Sequence, residues 1–324
     1  MNKQLDAGGG RSFRLLEGLV PLISLLVVII PIALMRREQL FSGRYYFTLN
    51  LLLSMAIPIM LATIGQMLAM SIGEIDFSME TLVSLVTCVM GAVMTKNTFA
   101  GIAMLVGIVV VYMTIGAFVH LKKLPSIIVT IGMSFIWTGI AVILQPTPGG
   151  DISKVVVDVM RFRPPLVPLA IFLAVGLAVL AHFLMFKTSF GILARGVGDN
   201  VKSIQQAGHS VLKIRILVFG MVGLFGVLSG IALAGLTTSA DSALAKNYTL
   251  LSIASVILGG GAFSGGKVSA VGAIFGAMAM HLVNTLLMAF KVSTDWQAGV
   301  QGLIILLALY IGSVFKNRGK VRYI

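Results

Sequence analysis

Runs of about 20 apolar residues recur along the chain, and they constrain its fold more than any other feature. A helix of that length spans roughly 30 Å at 1.5 Å per residue, the thickness of the hydrocarbon core of a membrane. Residues 25–34 are apolar on every face, whereas a strand of a membrane barrel would alternate polar and apolar residues. With 58% hydrophobic and 11% charged residues, the composition excludes a soluble fold and predicts an all-α polytopic membrane protein.

We predict about ten transmembrane helices in a single transmembrane domain covering residues 1–324, with an uncleaved first helix. The predicted spans are 15–35, 48–70, 77–95, 99–119, 124–144, 166–186, 213–235, 249–262, 267–290 and 297–315. Short or broken helices are expected near 71–80 and 259–268. Non-helical backbone at membrane depth requires burial in protein or a position on a cavity wall.

The net charge of +13 is explained by membrane topology, because the basic residues lie in short links between the spans. Basic stripes with interleaved aromatic residues are missing from the sequence, so nucleic acid is not an expected partner. With both termini in the cytoplasm, 15 of the 24 Lys and Arg residues fall on that side, when Lys213 and Arg215 are counted with the link that they border. The excess predicts this orientation in the cell inner membrane, although Arg36, Arg37 and Arg44 oppose it.

Two links are long enough to have a role of their own. The link at about 145–165 combines Pro, Gly, Asp and Arg, and we expect it to form an external cap or docking surface. The link at about 187–215 faces the cytoplasm in the predicted topology and is the longest polar stretch of the sequence. It contains a predicted helix over residues 200–207 between glycines.

The sequence offers no constellation for catalysis. Residues 261–267 spell the first seven positions of a phosphate-binding loop, but Val268 stands where a hydroxyl would hold Mg²⁺, so we reject an ATP site. The four histidines lack the spacing of metal ligands, and Cys88 lies inside an apolar run. We therefore expect neither an enzyme, nor a metal site, nor a cofactor bound by this chain.

Three acids stand between two spans, at Glu74, Asp76 and Glu80. Ionisable groups at membrane depth are usually functional, but these acids could equally cap the helix beginning near Phe77. Further polar groups lie inside or at the ends of spans, where they suit bonding either to a neighbouring helix or to a hydroxylated solute. They are Gln66, Asn284, Gln297 and Gln301.

The cytoplasmic link carries Gly191, Gly198, Asn200 and Gly208 of the pattern G-R-x-x-x-A-x-G-x-N-x-x-A-A-x-x-x-G. Further motif pieces are residues 73–78, Leu258-Gly259-Gly260, Gly265-Gly266, Gly272, Gly276, Asn284, Trp296-Gln297 and Gly302. In this order, over residues 45–315, they resemble the membrane permeases of bacterial ATP-binding-cassette (ABC) importers of the ribose, xylose and galactose type. The sequence departs from the family at Ile192, which replaces an Arg, at the Ser203-Ile204 pair, and at Glu74 and Glu80, which replace glycines.

The resemblance implies a permease subunit that translocates a sugar or sugar-like solute with ATP hydrolysed by a partner. Implied partners are an ABC ATPase, an external solute-binding protein, a second permease chain, identical or not, and membrane lipid. The implied ATPase-coupling residues are Gly191, Arg195, Gly198, Asp199, Asn200, Gln205 and Gly208. The expected translocation-pathway residues are Gln66, Glu74, Asp76, Ser78, Asn284 and Gln297.

Two alternatives remain open at this level. One is a branched-chain amino acid or nucleoside permease of the same superfamily. The other is an ion-coupled secondary transporter that uses Glu74, Asp76 and Glu80 as a proton or cation site.

Overall fold

The computed structural model describes residues 45–164, 167–293, 296–304 and 306. The regular elements within these ranges are all helical. The α-helices are α1 (Tyr45–Ser54), α2 (Ala56–Ser71), α3 (Met79–Cys88), α4 (Thr98–Lys122), α5 (Ser126–Leu144), α6 (Lys154–Met160), α7 (Leu169–Phe186), α8 (Ser189–Asp199), α9 (Val201–Gln206), α10 (Val211–Thr237), α11 (Tyr248–Leu258) and α12 (Ala270–Ala289). A π-helical segment, Val89–Met94, continues α3.

Six of these stretches are long and apolar enough to cross a membrane, and two shorter apolar helices accompany them, at Met79–Met94 and Tyr248–Leu258. Each of the eight predicted spans from 48–70 to 267–290 corresponds to one of them, with α1 and α2 forming a single span over Tyr46–Ser71. The polytopic all-α prediction is confirmed. The predicted span at 15–35 and most of that at 297–315 lie outside the described residues, so the total of ten stays a prediction.

The links between spans gather at two ends of the bundle. One end carries the link at about 187–215, and we call it the link end. There the backbone of Ser71 at the end of α2 bonds to Gly266 in the loop between α11 and α12, beside Gly198 of α8. At the far end, Gly149 of the link after α5 pairs with Ala240, which follows α10. Successive links alternate between these ends, as the predicted topology requires.

Helix α10 forms the centre of the bundle and packs against α2, α3 and α4. Glycines make this packing close, because a Cβ on Gly226 would stand 2.2 Å from Leu82 Cδ2 and one on Gly230 would stand 2.4 Å from Val86 Cβ. The small residues spaced four apart on α10 therefore form a helix-packing face.

Helices α5 and α7 lie at the periphery and expose large apolar side chains to the surroundings. Among them, Phe135 and Ile143 of α5 are 74% and 80% exposed, and Val179 of α7 is 65% exposed. In water such faces would be unfavourable, but in a membrane they contact lipid tails at little cost.

Candidate translocation pathway and coupling surface

Residues 72–78, the first unwound segment, connect α2 to α3 without helical structure, which confirms the broken helix predicted near 71–80. Hydroxyl groups one turn apart on α5 satisfy its backbone. Ser126 Oγ pairs with both the N–H and the carbonyl of Ile75, each at 3.2 Å, and Thr130 Oγ1 accepts from the N–H of Phe77 at 3.0 Å. Backbone that leaves a helix inside a membrane needs such partners, because lipid offers none.

Asp76 is fully buried inside the first unwound segment. Its Oδ1 accepts from the N–H of Ser78 at 2.7 Å and from Ser78 Oγ at 2.6 Å, while its Oδ2 accepts from the Tyr112 hydroxyl at 2.9 Å. With its carboxamide oriented to match its neighbours, Gln66 of α2 donates to the Asp76 carbonyl and accepts from the Asp76 N–H at 3.1 and 3.3 Å. The carboxylate stabilises the turn that starts α3. Four segments meet around Asp76, namely α2, the first unwound segment, the start of α3 and α4.

Glu74 has a different partner from Asp76. Its Oε1 lies 2.8 Å from Arg215 Nη1, and the two side chains are only 14% and 18% exposed. Arg215 belongs to the first turns of α10, so this ion pair fastens the first unwound segment to the central helix at the link end.

A second unwound segment, residues 238–247, lies on the other side of α3 and joins α10 to α11. Three side chains on one face of α3 bond to its backbone in succession. Thr87 Oγ1 accepts from the Asp241 N–H at 3.4 Å, Ser84 Oγ accepts from the Ala245 N–H at 3.0 Å, and Glu80 Oε2 accepts from the Asn247 N–H at 3.1 Å. The segment therefore enters from the far end and runs along α3 for about two turns, roughly 10 Å.

The starts of α3 and α11 meet inside the bundle, where the N–H of Glu80 donates to Thr249 Oγ1 at 3.1 Å. From this point α3 runs to the far end and α11 runs to the link end. The two short helices are thus half-spans, and each is completed by the unwound segment that precedes it. The two half-spans run in opposite directions. Discontinuous helices with N-termini at the midplane are a common source of solute sites in transporters.

The remaining predicted pathway residues lie apart from Asp76. Gln301 Nε2 donates to Asn284 Oδ1 at 3.0 Å, which ties residue 301 to α12, and Gln297 Nε2 donates to the carbonyl of Val292 at 3.0 Å. The structure therefore brings Gln66, Asp76 and Ser78 together, whereas Glu74 pairs with Arg215, Asn284 bonds to Gln301, and Gln297 bonds to the backbone just after α12.

The predicted cytoplasmic link folds into α8 and α9. Gly198 at the end of α8 touches the main bundle so closely that a Cβ there would stand 2.1 Å from the carbonyl of Ser71 and 2.4 Å from the N–H nitrogen of Gly266. Gly191 packs equally tightly on the end of α7, 2.2 Å from the Leu184 carbonyl by the same measure. Arg195 Nε donates to the Met185 carbonyl at 3.2 Å, and its guanidinium stacks on Phe186.

Helix α9 projects from the bundle. Asn200 caps its N-terminus by accepting from the Ser203 N–H at 3.2 Å, and every residue from Asp199 to Ser210 except Ile204 is exposed. An open depression beside α9 is lined by Gln205, Gly208, His209 and, across from them, His120 at the end of α4. The predicted helix at 200–207 is confirmed as Val201–Gln206.

The loop with a phosphate-binding pattern, residues 261–267, connects α11 to α12 at the link end. Gly265 and Gly266 have positive φ angles of 82° and 73°, and they contact Gly73 and the end of α8. Its glycines permit a tight junction between three segments. The broken helix predicted near 259–268 is this loop, while the longer break at 238–247 was not predicted.

Sequence reasoning missed several residues that hold these segments. Tyr112, Thr130 and Arg215 lie in other spans, and nothing in the sequence pairs them with residues 72–78. Ser84 and Thr87 do leave a signal, because with Glu80 they form a polar stripe at helical spacing in an otherwise apolar helix. In the structure, this stripe forms hydrogen bonds with the backbone of the second unwound segment.

Comparison with known proteins agrees with this architecture. A family model described as "Branched-chain amino acid transport system / permease component" matches residues 48–309. The chain is 28% identical over 276 residues to the autoinducer 2 import system permease protein LsrC of Yersinia pseudotuberculosis serotype O:1b, covering 81% of this chain and 77% of that protein. The LsrC protein of Photorhabdus luminescens is 27% identical over 270 residues, covering 81% and 80%. No solved structure matches.

The family match covers most of the chain, including both unwound segments and the α8–α9 link. It agrees with the resemblance to ABC importer permeases that the sequence motifs carry. The chain therefore belongs to the branched-chain amino acid transport system permease family and is a transmembrane permease component of an ABC importer.

Proposed function

We propose that this chain pairs with a second permease chain, identical or not, and imports a sugar or sugar-like solute across the inner membrane. ATPase subunits bind the link end, a solute-binding protein binds the far end, and both termini are cytoplasmic. The observation that carries the proposal is the exposed helix α9, which connects through Gly198 to the junction of α2 and residues 265–266. A motion of α9 would therefore reach the ends of both discontinuous spans.

The predicted coupling residues divide into two kinds under this proposal. Asp199, Gln205 and Gly208 are exposed and would touch the ATPase. The remaining four hold α8 and α9 in place and transmit the force: Gly191, Arg195, Gly198 and Asn200. Nucleotide binding in the partner ATPase then shifts the bundle between two packings. A displacement of α8 is passed to the bundle, because the close contact at Gly198 leaves little room for α8 to move alone.

At the far end, the link after α5 offers a surface for the binding protein. Helix α6 exposes Val155 and Val159, which are 71% and 56% exposed, and Phe162 beside it is 61% exposed. Exposed apolar side chains beside Asp158 and Arg161 give the mixed composition of a transient protein interface.

Within the pathway, Gln66, Asp76 and Ser78 act as positioning residues. Their side chains are fully buried and bonded to each other or to the backbone, so they shape the first unwound segment rather than contacting solute in this conformation. Glu74 holds the same segment through Arg215, while Asn284 and Gln297 stabilise the end of α12.

Three observations bear on the solute, and they do not all agree. The motifs resemble sugar permeases, and the relatives named above are permeases of autoinducer 2 import, whereas the matching family model is named for branched-chain amino acids. We favour a hydroxylated solute, because polar groups of Glu80, Asn247 and Thr249 meet at the half-helix junction.

An ion-coupled transporter has no support in the geometry. Glu74, Asp76 and Glu80 each bond to a different set of partners, and among the described residues no group of acids, histidines and cysteines could hold a metal ion.

Reconstitution of the complex in proteoliposomes tests the proposal. The chain is purified from its host with its associated proteins, and uptake of radiolabelled ribose, autoinducer 2 and leucine is measured with ATP or a non-hydrolysable analogue. ATP-dependent uptake of ribose or autoinducer 2 is expected. Uptake of leucine alone would overturn the solute class, and uptake without hydrolysis would overturn the ATP-driven mechanism.

A further inference from the structure

Glu80 and Lys246 form a pair of opposite charges where the two half-spans meet. Glu80 stands in the first turn of α3, and Lys246 lies in the second unwound segment, one residue before Asn247. The Lys246 ammonium and the Glu80 carboxylate attract each other electrostatically, and the carboxylate also accepts from the Asn247 N–H. The positioning network around Asp76 does not include this pair.

The pair lies near the middle of the membrane. Gly226 of α10 lies against Met79 and Leu82, one residue before and two residues after Glu80. Gly226 is eleven residues from the end of α10 at Thr237 and fifteen from its start at Val211, about 17 and 23 Å at 1.5 Å per residue. Charged side chains at this depth are costly in lipid and are usually retained for function.

The pair is also open to the surroundings of the chain. Lys246 is exposed and Glu80 is only partly buried, in contrast to Asp76, which is completely buried. A charge exposed at the bilayer midplane cannot face hydrocarbon cheaply, so this surface requires a polar neighbour. A translocation pathway filled with water and solute provides one.

We propose that Glu80 and Lys246 form a solute-contacting station of the pathway, selective for a small uncharged polyhydroxylated solute. The carboxylate can accept from solute hydroxyls and the ammonium can donate to them, since each has several bonding positions. The two charges cancel, so the station offers no net attraction for an anion or a cation. The proposal rests on the permease function above and assigns the contact within it.

The position of the pair also couples the contact to movement. The Glu80 carboxylate accepts from the Asn247 N–H, whereas the Glu80 N–H donates to Thr249 Oγ1, so a solute that draws on the carboxylate competes with the Asn247 bond at the junction of α3 and α11. Binding at this station therefore alters the junction between the half-spans directly.

Cysteine accessibility in the assembled importer tests the proposal without knowledge of the solute. In a Cys88→Ala background, Glu80→Cys and Lys246→Cys are reconstituted with the partner subunits in nanodiscs and treated with the hydrophilic reagent 2-sulfonatoethyl methanethiosulfonate. We expect modification at least tenfold faster than at Ile136→Cys, an exposed apolar position on peripheral α5. Modification as slow as at Ile136→Cys in every nucleotide state would overturn the station. Lys246→Cys retains the Glu80–Asn247 bond, so the test survives if Glu80→Cys misfolds.

Transport gives the second measurement. Lys246→Gln and Glu80→Gln are expected to raise the KM for the solute taken up in the proteoliposome assay about tenfold. Lys96→Gln and Lys122→Gln, at exposed lysines outside the α6 surface and the α8–α9 link, serve as controls. An unchanged KM in both pathway variants would overturn solute contact. Absence of ATP-driven uptake by the unaltered complex would instead contradict the proposed function, and the labelling rates would still decide whether the station lines a pathway.

Discussion

At the scale of single residues, short polar side chains on helices replace the hydrogen bonds that the two unwound segments have lost. Ser126 and Thr130 serve the first segment, and Ser84, Thr87 and Glu80 serve the second. In both cases the polar groups repeat at helical spacing on one face. Because lipid cannot supply these bonds, the unwound backbone of each span requires these side chains as hydrogen-bond partners.

Asp76 gives the sharpest prediction at this scale. Replacement by Ala would leave the Ser78 N–H without its carboxylate acceptor in a buried site, at a cost of about 1–3 kcal/mol, and would also remove the bond that the Tyr112 hydroxyl donates to the carboxylate. Asp76→Asn keeps one carbonyl oxygen and should cost less. Heating in detergent followed by gel filtration should show loss of the folded peak at a lower temperature for Asp76→Ala than for Asp76→Asn, with the exposed Asp158→Ala unchanged. Equal stability of all three variants would contradict the structural role.

The Glu74–Arg215 ion pair makes a second prediction. Removal of either partner leaves a poorly exposed charge or loses the tie to α10, so Glu74→Gln and Arg215→Gln should each destabilise the fold by about 1–3 kcal/mol. The exchange Glu74→Arg with Arg215→Glu should recover at least half of that loss, because the attraction is restored. A double-mutant cycle by thermal unfolding measures the coupling. Additive effects of the two single changes would show that the pair contributes nothing.

At the scale of elements, α8 meets the main bundle through Gly198. A methyl group there would overlap the Ser71 carbonyl and the Gly266 backbone, so Gly198→Ala should displace α8 and lower ATP-driven uptake at least tenfold, with the ATPase still bound. Gly196→Ala is the matched control on the same helix, because its Cβ would meet only the end of the flexible Ile204 side chain. The two variants are compared by uptake and by co-purification of the ATPase. Full uptake by Gly198→Ala would remove the contact from the coupling route.

The elements also show what the sequence can and cannot predict. Apolar length alone places eight spans, and the acids at 74–80 mark the first break. The second break is invisible because residues 238–247 mix small and polar residues, as an ordinary link between spans does. Its depth depends on pairing with Ser84 and Thr87, which lie more than 150 residues away. Likewise, Tyr112 and Arg215 join the site only through packing of α4 and α10.

At the scale of the whole molecule, the links alternate between the two ends of the bundle. Labelling one position at each end therefore establishes which end faces the cytoplasm. The charge bias predicts that the link end is cytoplasmic. Lys202 on α9 and Lys154 on α6 are both exposed and stand at opposite ends, while the native Cys88 is buried. In cells with a permeabilised outer membrane, a membrane-impermeant maleimide should label Lys154→Cys, and it should label Lys202→Cys only after the inner membrane is opened. The opposite pattern would invert the topology and would move the proposed ATPase surface to the wrong side of the membrane, where no ATP is available to drive import.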